Sequence, residues 1–224
     1  MKTAVMIPVK RFTQAKSRLS TLLSAVERAP LAAILLEGVL EAVGGLPGTL
    51  HKVVVTDHPP AIGLAERFGF RVMREDKQLS ESHSVDRASA ALEAEGIGAV
   101  LRVPLDLPLV SGEELREILA RAEAGLQAVL VPSRDGTGTN AVYRSPPTLF
   151  PSRFGPDSLS LHKRSLEALE APHAVLILPG LGLDLDDAGD VEELLRRGQD
   201  CPARDYLMGL GVEGRLAAIR RAGA

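Results

Sequence analysis

Short and nearly unbroken apolar runs alternate along the chain with longer segments in which apolar side chains recur every three or four residues. The unbroken runs predict strands that are covered on both faces, because a strand with one solvated face would alternate apolar and polar positions. The predicted strands are Thr3–Val9, Lys52–Thr56, Phe70–Met73, Ala99–Pro104, Ala128–Pro132, Asn140–Tyr143 and Ala174–Leu178. The predicted helices are Leu31–Val43, Ala61–Phe68, Val85–Glu95, Gly112–Ala124, Leu159–Leu169, Asp190–Arg197 and Glu213–Arg221.

Strands that take turns with helices are typical of a parallel sheet, since a connection between parallel strands must cross the sheet and a helix fills the crossing. We therefore predict an α/β fold with three layers, α/β/α, in which a mostly parallel, Rossmann-like sheet lies between helices. No linker or repeat interrupts the pattern, so we expect one domain over residues 1–224. The apolar segment Leu31–Leu40 is compatible with the core or with a homodimer interface, and we expect the core.

The composition excludes several classes of protein. A chain of 224 residues, 45% of them hydrophobic, can bury a sizeable core, and its net charge of −3 argues against a nucleic-acid or membrane surface. Cys201 is the only cysteine, which excludes an intrachain disulfide and a cysteine zinc site. The first apolar run meets Lys10 too early for a signal peptide, and no run approaches the ~20 residues of a membrane span, so we expect a cytoplasmic protein.

The loop after the first predicted strand holds four basic side chains, Lys10, Arg11, Lys16 and Arg18. In open α/β sheets, ligands bind beyond the carboxyl ends of the strands, where loops and helix N-termini present backbone N–H groups. A basic loop at this place favours a triphosphate over a neutral ligand. A merely solvated loop would have the same composition, so the cluster needs support from other motifs.

Two acidic segments further along the chain are candidates for a metal site. Asp106 follows a predicted strand and lies between two prolines. Asp184 and Asp186 are two residues apart, so in an extended segment both point the same way while Leu185 points into the core. Mg²⁺ usually takes one or two protein carboxylates and completes its shell with water and phosphate oxygens, so Asp106 and Asp184 suffice if the fold brings them together.

Each acidic residue also has a purely structural interpretation. Asp106 is placed to serve as a turn residue or as the N-cap of the helix that follows it. Asp186 and Asp187 are placed to cap the helix Asp190–Arg197, and for Asp187 we expect capping.

Two glycine-containing segments are candidates for a ligand cradle. Asp135–Asn140 places two glycines and two threonine hydroxyls ahead of a predicted strand. In Phe154–Ser158, Gly155 permits close approach of a ligand, and Ser158 starts a predicted helix, where unpaired N–H groups favour a phosphate or a carboxylate. Each segment alone fits an ordinary turn or N-cap, and their occurrence with the basic loop and the acidic segments favours a function.

Together these segments resemble the 2-phospho-L-lactate guanylyltransferase family, which acts in the biosynthesis of the deazaflavin coenzyme F-420. The matching segments, in the order of the family, are Ile7–Lys10, Ala15–Leu19, Asp106–Pro108, Gly136–Asn140, Phe154–Ser158 and Pro179–Asp186. The resemblance implies the GT-A fold of nucleotide-diphospho-sugar transferases. It also implies transfer of GMP from GTP to a small phosphorylated three-carbon acid (2-phospho-L-lactate, phosphoenolpyruvate or 3-phosphoglycerate), with release of pyrophosphate.

The resemblance also implies roles for individual residues. The catalytic residues would be Lys10 and Lys16. The nucleotide-binding residues would be Pro8, Val9, Lys10 and Arg18. The ligands of Mg²⁺ would be Asp106, Asp184 and Asp186. The residues that hold the phosphorylated acid would be Thr139, Gly155 and Ser158.

One segment departs from the family. Where its members carry a Gly-Leu-Asn-like sequence at the start of a helix beside the base, this chain has Leu79–Asp86, which leaves the strictness of guanine selection open. His83 in this segment is either a contact to the base or ribose or a surface histidine.

The implied reaction needs no activated Ser, Cys or His, because the phosphate of the acid is already a nucleophile. It needs alignment at the α-phosphorus and neutralisation of charge there and on the departing pyrophosphate. We hypothesise that Lys10 and Mg²⁺ steady the α-phosphate and the leaving group, and that Lys16 steadies the incoming phosphate or the triphosphate.

Two other functions stay open. A sugar- or alditol-phosphate nucleotidyltransferase would share the fold and the metal chemistry, whereas a nucleotide-binding relative without activity would bind GTP and not turn it over. The sequence does not determine which acid is used, since the shape of the pocket depends on side chains that the motifs do not place.

Overall fold

A computed structural model describes residues 1–12, 17–75 and 79–222 and shows an α/β fold. Its strands are β1 (Thr3–Pro8), β2 (His51–Val55), β3 (Arg71–Met73), β4 (Ala99–Arg102), β5 (Ala128–Pro132), β6 (Thr139–Arg144) and β7 (His173–Val175). Its α-helices are α1 (Ala25–Gly44), α2 (Pro59–Arg67), α3 (Glu81–Ala94), α4 (Gly112–Glu123), α5 (Ser158–Ala168), α6 (Ala188–Arg197), α7 (Pro202–Gly209) and α8 (Val212–Ala222). A short 3₁₀ helix, Ser17–Thr21, precedes α1.

The sheet has seven strands in the order β3-β2-β1-β4-β6-β5-β7. Neighbouring strands are parallel except around β6, which runs antiparallel to β4 and β5, so the prediction of a mostly parallel sheet is confirmed. Because β6 is reversed, its first residues lie at the edge where β1 and β4 end. Met6 of β1 and Val142 of β6 both lie opposite Arg102, the last residue of β4, so Thr139 and Asn140 extend beyond the end of β4.

Alternate side chains of β1 pack against different helix layers. Val5 and Ile7 belong to the larger hydrophobic cluster, to which α1, α2, α4, α6, α7 and α8 contribute, whereas Ala4 and Met6 belong to a cluster around α3. A third cluster forms where α5 covers β5 and β6. Phe154 packs against this cluster and against the cluster around α3, so α5 and α3 lie on the same side of the sheet. Because the central strands are covered on both faces, their residues are apolar without alternation.

The helix α1 lies in the core, as expected for the segment Leu31–Leu40. Leu31, Leu36 and Leu40 are fully buried within the chain itself. The helix begins earlier than predicted, at Ala25, because the N–H and the hydroxyl of Ser24 both donate to Glu27 Oε2 at 2.8 Å and fix a polar first turn. Apolar periodicity gives no signal for such a turn.

One α-helix was not predicted, and one strand is shorter at its end than predicted. The helix α7 was missed because only Ala203 and Leu207 of it are buried, too few to mark a period. The strand β7 ends at Val175 rather than at Leu178, and Ile177 beyond it is 76% exposed. Over the part of the chain that the structure describes, no helix combines the length and the apolar character needed to cross a membrane.

Candidate functional site

A cavity of about 610 Å³ lies at the edge of the sheet where β1 and β4 end and β6 begins. Its lining includes every predicted site residue that the structure describes. These residues are Pro8, Val9, Lys10, Arg18, Asp106, Thr139, Gly155, Ser158, Asp184 and Asp186. Lys16 lies outside the described residues. Segments far apart in the sequence thus converge on one pocket.

Two basic side chains line the cavity beside the end of β1. The strand and Val9 after it are buried, so Lys10 is the first exposed side chain beyond the sheet, and Arg18 contributes from the 3₁₀ helix. Arg11 has a different position, because its guanidinium forms an ion pair with Asp57 at 2.9 Å and is not among the described lining. The adjacent cations Lys10 and Arg11 therefore separate, one towards the cavity and one towards the loop after β2.

The two acidic segments meet in this cavity. Leu183 and Leu185 are fully buried, and the residues that alternate with them, Asp184 and Asp186, line the cavity. The backbone N–H of Leu185 donates to the carbonyl oxygen of Asp106 at 3.1 Å, which joins the two segments through the main chain. Burial raises the pKa of Asp184 to about 6, and repulsion from the carboxylates of Asp106 and Asp186 adds to the shift.

The capping interpretation is wrong for Asp106 and right for Asp187. The N-cap of α4 is Ser111, whose hydroxyl oxygen accepts the N–H of Glu114 at 3.2 Å. Asp187 is the N-cap of α6, and its Oδ1 accepts the N–H groups of Gly189 at 2.7 Å and Asp190 at 3.1 Å. Asp106 therefore stands at the cavity for a reason other than the start of a helix.

A divalent cation fits this donor set. The raised pKa of Asp184 shows like charges crowded in a partly desolvated place, and a cation between them would offset the repulsion. Within the described residues, no group of three or more acidic, histidine or cysteine side chains is arranged to hold a metal ion. A cation here would therefore bind to fewer protein carboxylates, as Mg²⁺ does when water and phosphate oxygens complete its shell.

The acidic segment Asp184–Asp186 is held in place by residues on two other elements. The carboxylate of Glu114 on α4 accepts the N–H groups of Gly180 and Leu181, both at 2.8 Å. The side-chain amide of Asn140 on β6 donates to the carbonyl oxygen of Leu181 at 2.9 Å and to Asp184 Oδ1 at 3.2 Å. A Cβ on Gly180 would lie 2.4 Å from the carbonyl oxygen of Leu109, so only glycine fits this turn.

Arg102 is a cavity residue that the sequence analysis missed. Its side chain is only 5% exposed, and its guanidinium donates to the backbone oxygen of Asn140 and to the carboxylate of Glu81. It also lies 4.1 Å from the centroid of the Phe154 ring. Burial lowers the pKa of Arg102 to about 10, and the nearby carboxylates of Asp106 and Asp184 partly offset that shift, so the group stays charged at neutral pH. The available signal was an arginine at the end of an otherwise apolar strand.

The start of α5 differs from the expectation. The N-cap of α5 is Asp157, in the left-handed region at φ 56°, and Ser158 is the first helical residue. The N–H of Ser158 donates to the carbonyl oxygen of Gly155 at 3.2 Å, and that of Leu159 donates to Thr137 at 3.1 Å. The N–H groups of Ser158 and Leu159 are therefore paired within the chain, one with the turn before α5 and the other with the hairpin between β5 and β6. That the start of α5 receives an anion stays a prediction.

The segment Leu79–Asp86 forms the first turns of α3. Ser80 caps the helix by accepting the N–H of His83 at 3.1 Å. Glu81 and Ser84 line the cavity, whereas His83 is exposed and is not among the described lining. Of the two interpretations of His83, the structure favours the surface histidine.

The family is shown by comparison with known proteins. A family model described as guanylyl transferase CofC like matches residues 3–221. The phosphoenolpyruvate guanylyltransferase of Nocardia farcinica is 34% identical over 94% of this chain and 93% of its own length. The phosphoenolpyruvate guanylyltransferase of Rubrobacter xylanophilus is 32% identical over 87% of this chain and 94% of its own length. The 2-phospho-L-lactate guanylyltransferase of Methanothermobacter thermautotrophicus is 30% identical over 92% of this chain and 90% of its own length.

Solved structures confirm the predicted nucleotide-diphospho-sugar transferase fold. A Desulfovibrio desulfuricans protein described as such a transferase superimposes with a TM-score of 0.78 at 13% identity, over 97% of this chain and 98% of its own. CMP:2-keto-3-deoxy-manno-octonic acid synthetase, solved with CTP, gives 0.59 at 14% identity, over 89% and 100%. At such low identity these structures establish the fold alone. The sequence matches go further, because they run along almost the whole chain, and they show that it belongs to the family of CofC-like guanylyl transferases.

Proposed function

We propose that this protein transfers GMP from GTP to a small phosphorylated three-carbon acid and releases pyrophosphate, as a step in coenzyme F-420 biosynthesis. Family membership supports the guanylyl transfer, and the names of the relatives support the acid. Phosphoenolpyruvate is the first acceptor to test, since it is named for the Nocardia and Rubrobacter relatives, followed by 2-phospho-L-lactate and 3-phosphoglycerate.

The observation that carries the proposal is the convergence of cations and carboxylates at the ends of adjacent strands. β1 and β4 pair directly, so Lys10 after β1 and Asp106 after β4 leave the sheet side by side. Asp184 and Asp186 join them from the segment before α6. Ammonium groups and carboxylates in one pocket suit a polyphosphate that arrives with a divalent cation.

The chain's own residues would bind and orient the two substrates. Lys10 would contact the α-phosphate and the departing pyrophosphate, and Arg18 with the backbone of Pro8 and Val9 would hold the nucleotide. Lys16, outside the described residues, would contact the incoming phosphate or the triphosphate. The acid would lie against Thr139, Gly155 and Ser158.

The reaction itself breaks one bond and forms one. A phosphate oxygen of the acid attacks the α-phosphorus of GTP, the bond from that phosphorus to the bridging oxygen of the β-phosphate breaks, and pyrophosphate leaves with the electron pair. Mg²⁺ held by Asp106, Asp184 and Asp186 would supply charge neutralisation at the phosphates. Alignment and fixed charge account for the catalysis, and each such contact is worth about 10²-fold in rate.

A coupled pyrophosphate assay tests the proposal. The protein is incubated with Mg²⁺, GTP and each of the three acids in turn, and the product is identified by mass. We expect pyrophosphate and a guanylated product with at least one acid, and loss of both on chelation of Mg²⁺. Pyrophosphate release only with a sugar phosphate or an alditol phosphate would overturn the proposal in favour of a related nucleotidyltransferase. GTP binding without Mg²⁺-dependent turnover would favour a relative that has lost its chemistry.

The alternative of a different nucleotide or acceptor rests on the first turn of α3. The chain has Glu81 and Ser84 at the cavity there, in the segment that departs from the family pattern. Substituting ATP, CTP and UTP for GTP in the same assay measures how strictly the base is selected. A preference for another nucleotide would show that this segment has changed the donor.

We further propose that residues 1–224 act as one nucleotidyltransferase domain in the cytoplasm. The packing of α1, α7 and α8 into one hydrophobic cluster with the sheet supports a single unit. Limited proteolysis that yields a stable, separately folding fragment would contradict it. Sedimentation of the purified protein distinguishes a monomer from a homodimer.

A further inference from the structure

His162 on α5 is a buried titratable side chain that the proposed reaction does not use. It is 0% exposed and lies between two aromatic rings, with ring centroids 5.4 Å from Phe150 and 5.4 Å from Phe154. A polar ring in such a place needs partners for both nitrogens, because an unpaired buried polar group is costly. The partners that it has connect it to the cavity.

The hydrogen bonds of His162 fix which nitrogen carries the proton. The backbone N–H of Arg153 donates to Nε2 at 2.9 Å, so Nε2 must offer a lone pair. Burial lowers the pKa of His162 to about 4, and the charges of Arg144 and Arg102 act in the same direction, so the ring is neutral at pH 7. The single ring proton is therefore on Nδ1.

Nδ1 of His162 lies 3.2 Å from the hydroxyl oxygen of Thr139, so the Nδ1–H group donates to that oxygen. The hydroxyl of Ser158 donates to the same oxygen at 3.2 Å. A hydroxyl oxygen has two lone pairs and one proton. Since both lone pairs of Thr139 are used, its own proton is what remains for a further partner.

Thr139 lines the cavity, so this remaining proton is available to a ligand. Two nearby backbone donors are already used, because the N–H of Ser158 bonds to Gly155 in the turn before α5 and the N–H of Leu159 bonds to Thr137 in the hairpin between β5 and β6. On this wall the described contacts thus leave the Thr139 hydroxyl as a group that donates and cannot accept. A donor-only group pairs with an acceptor oxygen, most strongly with a charged carboxylate or phosphate oxygen, and cannot accept from an amide N–H or an ammonium group.

We propose that His162 is a positioning residue that makes Thr139 an obligate hydrogen-bond donor, so that this wall of the cavity selects an acceptor-only anionic group of the substrate. The inference rests on the proposed function and deepens it. It assigns the preference for an acid to one buried relay from Arg153 through His162 to Thr139.

Two substitutions test the relay, because each keeps one of the two hydrogen bonds of His162 and removes the other. In His162→Asn, the amide nitrogen lies where Nδ1 was and still donates to Thr139, but the acceptor for Arg153 is lost. In His162→Gln, the amide oxygen lies where Nε2 was and still accepts from Arg153, but the donor to Thr139 is lost. Arg164→Ala, at an exposed position on the same helix, is the control.

We expect His162→Gln to raise the KM for the acid by about tenfold, the worth of one hydrogen bond, while the KM for GTP stays unchanged. His162→Asn should keep an acid KM near that of the wild type. In a double-mutant cycle, Thr139→Val should abolish the effect of His162→Gln, because the hydroxyl group to which His162 donates is then absent. Equal acid KM values for the two His162 variants, or additive effects with Thr139→Val, would overturn the inference in favour of a purely structural histidine.

Dead-end inhibitors identify the anionic group. Propionate carries the carboxylate alone and ethyl phosphate carries the phosphate alone. The inhibition constant that rises in His162→Gln but not in His162→Asn marks the group that contacts Thr139. If neither constant responds to His162→Gln, Thr139 does not contact the acid and the inference fails.

The inference and the proposed function fail in different ways. Wild-type turnover of an acid tests the function alone. The ¹⁵N chemical shifts of His162 test the relay without any activity, and we expect a neutral ring with its proton on Nδ1. A proton on Nε2, or a charged ring at pH 7, would end the inference even if the enzyme turns over.

Discussion

The backbone N–H of Leu185 donates to the carbonyl oxygen of Asp106 at 3.1 Å, so the two acidic segments of the cavity are joined by their main chains. This bond does not involve a side-chain carboxylate. We therefore expect the spacing of Asp106 and Asp184 to survive replacement of either side chain. Substitutions of these carboxylates test the effect of charge more than the effect of folding.

Asp184→Asn is expected to lower kcat by about 10²-fold or more, because the proposed Mg²⁺ site loses one of its charged ligands. The Mg²⁺-free protein should lose no stability, since burial and the repulsion from Asp106 and Asp186 already disfavour the charged form of Asp184. Pyrophosphate release and the Tm with and without Mg²⁺ measure both effects. Asp200→Asn, at a side chain that is 95% exposed, is the control, and a near-normal kcat in Asp184→Asn would refute the assignment.

Lys10→Ala and Arg11→Ala form a matched pair of adjacent cations. Lys10 lines the cavity, and its loss is expected to reduce kcat by about 10²-fold, or roughly 3 kcal/mol of transition-state stabilisation. Arg11 pairs with Asp57 on the surface, and its loss should change kcat by less than about threefold. Steady-state pyrophosphate release measures both variants. Equal losses in the two would show that general positive charge, rather than the position of Lys10, matters.

Glu114→Ala is expected to weaken the binding of Mg²⁺ rather than abolish activity. The carboxylate of Glu114 holds the N–H groups of Gly180 and Leu181 and so positions the segment that carries Asp184. Loss of such an outer partner commonly costs 10- to 100-fold in metal affinity, so the half-saturating Mg²⁺ concentration should rise by about tenfold. Titration of activity with Mg²⁺ measures the change. Glu113→Ala, at the exposed neighbouring position, should show no such rise, and the same shift in both variants would contradict the role of Glu114.

The contribution of His162 to stability is expected to fall as the pH drops from 6.5 towards 4. His162 has its pKa lowered to about 4 from 6.5, chiefly by burial, so the unfolded chain takes up a proton in this window that the folded chain does not. Linkage through His162 alone then removes up to roughly 3 kcal/mol of unfolding free energy, whereas the raised pKa of Asp184 acts in the opposite direction in the wild type and in His162 variants alike. Urea unfolding at pH 7 and pH 4.5 measures the loss. The loss should be smaller by about 2 kcal/mol in His162→Asn, which has no group to titrate. An equal loss in both proteins would show that other groups cause it.

Much of the site is predictable because it follows from strand ends. β1 and its neighbour β4 are buried on both faces, so their apolar runs mark them, and the first charged side chains after them, Lys10 and Asp106, must leave the sheet at the same edge. The alternation of Leu183 and Leu185 with Asp184 and Asp186 likewise gives the direction of the carboxylates from the sequence alone.

The remaining contacts depend on tertiary structure that local patterns do not contain. Arg102 meets Glu81 only because α3 packs beside β4, and no periodicity within either segment indicates that pairing. The left-handed conformation of Asp157 turns the N–H of Ser158 back to Gly155, whereas the sequence indicates only that a helix begins there. Local sequence patterns also do not indicate the two partners of His162, since Arg153 and Thr139 lie on other segments of the chain.

The reversed direction of β6 separates the residues proposed for the nucleotide from those proposed for the acid. Lys10 and Asp106, proposed for the nucleotide and its cation, follow the strands β1 and β4, whose crossover helices α1 and α4 pack into the core, so we expect their positions to depend on the packing of that helix layer. Thr139 instead comes from the hairpin between β5 and β6, whose turn at residues 133–138 is largely solvent-exposed. If the proposed roles hold, a turn of different length or sequence would reshape the wall proposed for the acid and leave the wall proposed for the triphosphate intact, so that one scaffold could exchange acids while keeping its donor.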